Sequence, residues 1–424
     1  MNFIEELRWR GMLHDMTPGA EEKLAEGPQV AYIGFDPTAK SLTIGNYVQI
    51  MMLSLWQRSG NKPIVVMGGA TGRIGDPSGK DKERQLKSYD ELDQNLARQT
   101  EQFERLLKFG DGETDAIMVN NHDFYKDMNI LEFLRKVGKT LTVSYMMSKD
   151  SVKNRLETGL SFTEFSYQLL QAYDFQCLYE QFNCAFQIGG SDQWGNITSG
   201  TEFIRRNING KAYAVTTPLL TKSDGSKFGK STEGNIWLDT EMTTPYKFYQ
   251  FWINANDADL PKYFRYFSYK TKEEIEALES EHTEDPRQLK KILAEELTRR
   301  IHSDEAYTSV MNVSELLFSK NMSPEKLAQL TEADFVAIQS EIPAFEIAMN
   351  TVEGGLHIQD LMSSETEIVK SKGESKRAIS NNAVSVNKQK IQDIDYMITS
   401  GDLLLGKYLM LENGKRNKFL LSFS

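Results

Sequence analysis

Two stretches of the chain combine residue types that suit the handling of a polyphosphate. The first, Asp36-Pro37-Thr38 followed by Thr43, Gly45 and Asn46, joins a short apolar run at 31–35 to a segment of helical pattern starting near Gly45. A glycine there lets a ligand approach the backbone, and the free N–H groups of a helix start favour an anion. The second runs from Lys222 to Ser231 and sets Lys227 and Lys230 three apart among glycines and serines. Such a cationic loop can close on a polyphosphate and place charge where a transition state develops it. Taken singly, the two also suit an ordinary strand-to-helix connection and a solvated surface loop. A third constellation is Tyr167, Gln171 and Asp174, whose spacing puts them on one helix face. Each alone is an ordinary helix position, but a shared polar face beside an apolar one calls for a ligand or solvent.

The elements that must position these residues are legible as alternating patterns. Residues 31–35, 63–69, 115–120 and 184–190 are short apolar runs bounded by Gly, Pro, Asn or Asp, and segments 45–60, 88–108 and 164–182 between them are helix-like. That alternation predicts an α/β domain, a parallel sheet with helices on both faces. In such sheets ligands sit at the carboxyl ends of the strands, where each glycine-rich loop of this chain falls. From about 243 to 318 strand signals vanish and helical periodicity takes over. After a less patterned connection at about 320–350, a third unit carries a short strand at 383–387 and a hairpin turning at Asn413-Gly414.

Composition bounds the function. The chain has 424 residues and a net charge of -11, which argues against a protein that coats nucleic acid through many lysines and arginines. Any RNA contact must be local, and the basic excess beyond Lys370 is the place for it, although charge patterning alone equally describes a solvated face. No apolar stretch is long enough to span a membrane, and the opening residues lack a signal-peptide core, so a soluble cytoplasmic protein without a membrane partner is expected. Cys177 and Cys184 are too few for a disulfide framework, and the five histidines are scattered, so no metal site is expected.

Thr43-Ile44-Gly45-Asn46 and Lys227-Phe228-Gly229-Lys230-Ser231 together resemble the two nucleotide-binding motifs of class I aminoacyl-tRNA synthetases. Between them the chain is similar to the bacterial tyrosyl-tRNA synthetases, in Tyr32-Ile33-Gly34-Phe35-Asp36-Pro37-Thr38, in Gly68 to Gly72 running on to Asp76 and Lys80, in Phe162 to Asp174, and in Gln187 to Asn196. The resemblance covers nearly the whole chain. It implies a Rossmann-like nucleotide-binding domain over 1–235 with a dimerisation insertion at about 124–165, an α-helical tRNA-binding domain over 236–325, and an S4-like RNA-binding α+β domain over 350–424. It also implies tyrosine–tRNA ligase activity: L-tyrosine is activated with ATP and transferred to the 3' end of tRNA(Tyr) by a homodimer, with Mg2+ arriving on ATP and no protein-bound cofactor.

Carried over residue by residue, the resemblance gives Tyr32 and Asp174 to the substrate phenol, and Asp76, Tyr167 and Gln171 to its ammonium, with Gln193 also at tyrosine. Asp36, Gly45, Lys80, Arg84, Gly190, Asp192 and Lys230 fall to ATP. Thr38, Thr43, Asn46, Lys227, Lys230 and Ser231 fall to the catalytic loops around the phosphates, and Lys372, Lys376 and Arg377 to RNA. Two positions depart from the family pattern. Thr43 stands where histidine is usual and brings no positive charge, and Lys40 stands where aspartate is common. The departure at Thr43 motivates an alternative, a synthetase-like RNA-binding protein with impaired activation.

Overall fold

A computed structural model describes residues 1–79, 85–156, 159–231, 234–318, 322–414 and 417–424. The chain forms two compact units, one of residues 1–243 and 250–301, the other of residues 244–249 and 302–424.

The first unit is built on a six-stranded sheet: β1 (Asp15–Met16), β2 (Val30–Phe35), β3 (Lys62–Met67), β4 (Ile117–Asn120), β5 (Cys184–Gly190) and β6 (Tyr213–Thr217). Their order across the sheet is β1-β6-β5-β2-β3-β4, all parallel except β1, which runs antiparallel on β6. β5 and β6 are buried at every residue, as expected of strands covered on both faces. The chain winds from β2 through β3 to β4 in one direction, and from β5 to β6 in the other. Between β2 and β5 the direction of winding reverses, and there the ends of two strands open a crevice.

Four helices hold this crevice in shape. Ile44–Arg58 follows β2 and buries much of its length, including Tyr47, Met51 and Trp56. Phe162–Phe182 and Trp194–Ile208 flank β5. Tyr89–Leu106 buries Leu92, Asn95, Gln99, Phe103 and Leu106, a stripe at three- and four-residue intervals. Its buried amides clamp the loop after β2: Asn95 Nδ2 donates to the Pro37 carbonyl at 3.1 Å and Gln99 Nε2 to that of Ala39 at 2.8 Å. One step along, Gln102 Oε1 accepts from Leu42 N at 2.9 Å. The unit is completed by helices that include Leu260–Phe267 and Pro286–Ile301.

The second unit includes helices Asp304–Phe318, Glu332–Gln339 and Lys372–Ser380. Its five-stranded sheet runs, in spatial order, Gln389–Lys390, Val384–Val386, Tyr408–Asn413, Asn417–Phe423 and Ala344–Ile347. Asn413 pairs with Asn417 across the hairpin, and Gly414 takes the φ of +79° that the turn needs. Ile358, Leu361, Ile379, Leu409 and Leu421 lie in its core.

Candidate active site

The crevice is a cleft of about 330 Å³. β2 supplies Tyr32 at its base and Asp36 just beyond its end; helix Phe162–Phe182 supplies Tyr167, Gln171 and Asp174 along one face. Asp76, Gly190 and Gln193 line it beyond β3 and β5, and Thr38, Thr43 and Asn46 line it after β2.

One chain of hydrogen bonds crosses its floor. Tyr167 Oη donates to Asp36 Oδ2 at 3.0 Å, and Thr71 Oγ1 donates to Asp36 Oδ1 at 2.7 Å. Asn121 Nδ2 reaches both Thr71 Oγ1 (2.9 Å) and Asp174 Oδ2 (2.8 Å). The second carboxylate oxygen of Asp174 lies 2.6 Å from Tyr125 Oη. Burial raises the carboxyl of Asp174 to about 7; the bonds from Tyr125 and Asn121 pull the other way, and Asp36 adds to the rise. Tyr32 is 1% exposed, edge-on to Phe175 at 5.2 Å, and its hydroxyl has no hydrogen-bond partner among the described residues. Burial and then Asp174 hold that phenol far above the usual tyrosine range. A buried hydroxyl left unpaired beside a buried acid is a costly arrangement unless a further polar group completes it.

A second cluster surrounds Asp76. Gln193 Nε2 donates to its Oδ2 at 2.7 Å and Ser78 N to its Oδ1 at 2.9 Å. Asn196 Nδ2 links Ser78 Oγ (3.0 Å) and Gln193 Oε1 (3.1 Å). Asp192 stands behind; burial first, then Asp76, raises its carboxyl, while the charge of Lys227 opposes the rise.

The two phosphate-type loops are stitched together. Ile44 N donates to Ile236 O at 2.9 Å, Leu238 N to Leu42 O at 2.9 Å, and Ile236 N to Gly229 O at 3.0 Å. Gly229 has φ +82°, and a Cβ on it would lie 2.9 Å from Ile44 Cγ2 and 3.3 Å from Gly45 N, so the contact demands glycine. Phe228, between the two lysines, is buried against Tyr263 (5.2 Å) and Phe267 (5.3 Å) and anchors the loop. Lys227 and Lys230 themselves are exposed and do not line the cleft wall, and neither do Gly45 and Asp192. The preceding turn is folded, with Lys222 N on Ser226 O at 2.9 Å and Ser223 held by Asp259. Lys80 and Arg84 lie outside the described residues, as does the side chain of Ser231.

Residues 24–319 match the family described as tRNA synthetases class I (W and Y), and residues 334–421 match the tyrosine–tRNA ligase SYY-like C-terminal domain. The tyrosine–tRNA ligase of Cytophaga hutchinsonii is 52% identical over 427 residues, covering 100% of both chains. That of Bacteroides thetaiotaomicron is 50% identical over 428 residues, covering 99% of each. The chain belongs to the tyrosine–tRNA ligase family. Among solved structures, a C-terminally truncated Aspergillus nidulans mitochondrial tyrosyl-tRNA synthetase is 30% identical, with a TM-score of 0.66 over 75% of this chain and 94% of that one. A tyrosyl-tRNA synthetase from Archaeoglobus fulgidus, complexed with L-tyrosine, shares the fold at 18% identity and a TM-score of 0.53.

Several residues of the site escaped sequence reasoning. Thr71 lies within the Gly68 to Gly72 stretch, where the resemblance gives it no role. Asn121 and Tyr125 follow β4 directly, at the strand end where the switch-point rule looks for ligands. The amides Asn95, Gln99 and Gln102 received no role in the sequence, where their i, i+4, i+7 spacing is the one signal that could have pointed to a clamp. Lys40 is exposed and off the cleft wall. Thr43 serves its own helix, capping Ile44–Arg58 in a reciprocal box, with Asn46 N on Thr43 Oγ1 at 3.2 Å and Thr43 N on Asn46 Oδ1 at 2.9 Å.

In the second unit Lys372, Lys376 and Arg377 are exposed on helix Lys372–Ser380, with Lys372 paired to Asp360. Two members of the basic excess are internal: Lys388 pairs with Glu412 at 2.6 Å, and Lys418 Nζ caps the carbonyls of Leu316 and Leu317 at 2.7 Å.

Proposed function

We infer that this chain catalyses attack of the L-tyrosine carboxylate on the α-phosphate of ATP, followed by transfer of the tyrosyl group to the 3'-terminal adenosine of tRNA(Tyr). The observation that carries the choice of amino acid is the unpaired, buried hydroxyl of Tyr32 beside Asp174, a pocket short of one polar partner that a substrate phenol supplies. A site built to hydrogen-bond a phenol rejects phenylalanine because its own polar groups are then stranded, and tyrosyl-tRNA synthetases are themselves the standard instance. Asp76, Tyr167 and Gln171 take the ammonium end, with Gln193 also at tyrosine, supported by their place on the cleft wall.

For ATP, Asp192 serves the ribose and Gly190 the close approach of the nucleotide, with Asp36 and Gly45 beside them. Thr38, Asn46, Lys227 and Lys230 gather around the phosphates, joined by Lys80, Arg84 and Ser231. A carboxylate nucleophile is ionised at neutral pH and needs no general base, so catalysis consists of alignment and stabilisation of charge on departing pyrophosphate. Among the described residues no group of three or more His, Cys, Asp or Glu is placed to hold a metal, and Mg2+ enters with ATP.

The family places the chain with enzymes that bind tRNA, and we assign RNA contact to Lys372, Lys376 and Arg377. Residues 124–165 form a homodimer contact on this reading, supported by Leu131, Val143 and Phe162, exposed at 74%, 61% and 75%. No helix among the described residues is long and apolar enough to cross a membrane, and the cytoplasm is the proposed location. The alternative of an RNA-binding protein with impaired activation finds no support in relatives that match it end to end as ligases. Tyrosine-dependent exchange of pyrophosphate into ATP, with phenylalanine and tryptophan as controls, tests the reading; absence of exchange with tyrosine overturns it.

A further inference from the structure

The turn that follows β4 delivers two side chains to Asp174, one for each carboxylate oxygen. Asn121 Nδ2 can only donate, and it does so to Oδ2 at 2.8 Å. Tyr125 Oη faces a different situation. It lies 2.6 Å from Asp174 Oδ1 and 2.8 Å from the main-chain carbonyl of Leu170, so one hydroxyl proton stands between two acceptors. Both contacts are satisfied together only if Oδ1 carries a proton: Asp174 then donates to Tyr125, and Tyr125 donates to Leu170. Ionised Asp174 forces the hydroxyl to turn from the carbonyl to the carboxylate.

We propose that Tyr125 is a positioning residue that sets the charge of Asp174, its hydroxyl turning from the Leu170 carbonyl to the carboxylate as tyrosine binds and Asp174 releases a proton. This rests on the assignment of Asp174 to the substrate phenol. The phenol O–H donates to the ionised carboxylate, a stronger bond than to the neutral acid, and the displaced proton leaves through the cleft to solvent. The surroundings favour a proton there before substrate arrives. Tyr32 faces Asp174 from β2, Tyr167 and Cys177 from its own helix, Tyr125 and Asn121 from the turn, and the charge it feels from beyond β2 is another acid, Asp36. Burial first, and then the charge of Asp36, raise the carboxyl to about 7 against the opposing bonds from Tyr125 and Asn121. The Tyr125 ring is itself wedged against Tyr173 at 5.7 Å and Phe133 at 6.4 Å, so its hydroxyl can rotate while the ring stays in place.

The test is proton release on binding L-tyrosine to the full-length protein without ATP, read by titration calorimetry in two buffers of different ionisation enthalpy. Release is expected below about pH 7 and to fade above it, following the Asp174 carboxyl. Tyr125→Phe removes one hydroxyl and the donor to the ionised acid, so the window in which a proton is released should move up by about one pH unit. In pyrophosphate exchange at neutral pH the same variant should raise KM for tyrosine about tenfold, with kcat and the constants for phenylalanine little changed. Asp174→Asn, whose amide reproduces the protonated pattern, should release no proton at any pH. Failure of the wild type to bind tyrosine would sink the functional assignment. Binding without proton release, or a release window unmoved in Tyr125→Phe, would sink this inference alone, and equal losses for both amino acids would reduce Tyr125 to a packing residue.

Discussion

Thr43 is where the chain departs from its family, and the structure turns that departure into a quantitative prediction. Its hydroxyl accepts from Asn46 N at 3.2 Å and donates to Asn46 Oδ1 at 2.7 Å, while Asn46 Oδ1 also accepts from Thr43 N. The threonine therefore closes a helix start, and its only donor proton is engaged. Replacing an N-cap threonine by alanine costs about 1 kcal/mol, and that should lower Tm by about 2–4 °C for a unit of this size. Thr43→Ser keeps the hydroxyl and should unfold at the wild-type temperature. Thr43→His puts a stronger donor at the phosphates but forfeits the cap, so it should lose the stability that alanine loses and gain little rate. Lys40, exposed and off the cleft wall, should act on activation only through screened charge, and Lys40→Asp should add to Thr43→His without coupling. Thermal unfolding followed by circular dichroism, with single-turnover adenylate formation on the same samples, measures both. An alanine variant as stable as the wild type, or a histidine variant that is equally stable and distinctly faster, would refute the capping argument.

Asp174→Asn should erase preference for tyrosine over phenylalanine in pyrophosphate exchange and should also change the pH dependence of stability. The folded carboxyl is raised from 3.8 to about 7, so the native state holds a proton that the unfolded chain has released; stability present below about pH 4 is lost as pH rises through 7. The asparagine variant lacks this loss, so it should melt above the wild type at pH 8 and closest to it at about pH 4, by differential scanning calorimetry. Lys376→Glu with Arg377→Glu should leave exchange intact, weaken tRNA charging and flatten its salt dependence, since exposed cations act on phosphates through released counterions. A truncation after residue 350 is a poorer test, because it would strand Phe335, which stacks on Tyr408 at 4.6 Å, and the strand Ala344–Ile347. Leu131→Glu with Val143→Glu should shift sedimentation from dimer to monomer.

The order of strands and helices was readable because buried parallel strands are short apolar runs, and their alternation with helical periods leaves few topologies. The shared face of Tyr167, Gln171 and Asp174 on helix Phe162–Phe182 was readable from the same periodicity, through their spacing of four and three. What periodicity could not reveal are partners set by tertiary contact. Tyr125 reads as one aromatic in an insertion, and its bond to Asp174 spans 49 residues of chain. Lys388 and Lys418 read as surface cations, and only the fold puts one against Glu412 and the other on a helix end. Charge counts in a sequence overstate the exposed basic surface for this reason.

The division of charge in the cleft follows from its two substrates. On the proposed reading Asp76 and Asp174 serve the amino-acid end, where a substrate ammonium and phenol suit acids and where desolvation is severe enough to raise Asp174. The same acids would repel a triphosphate, whose charge must therefore be met by groups held apart from them. The stitched loops achieve that separation: residues 42–44 zip to 236–238, Gly229 rests on Gly45, and Phe228 fixes the segment in an aromatic nest while leaving Lys227 and Lys230 in solvent. An exposed lysine is cheap to keep charged and gains strength only when a polyphosphate excludes water around it. On the proposed assignment of Lys227 and Lys230 to the phosphates, anchoring the backbone between the two lysines, rather than the lysines themselves, lets their charge follow the phosphates from ground state to departing pyrophosphate without unfolding the loop that carries them.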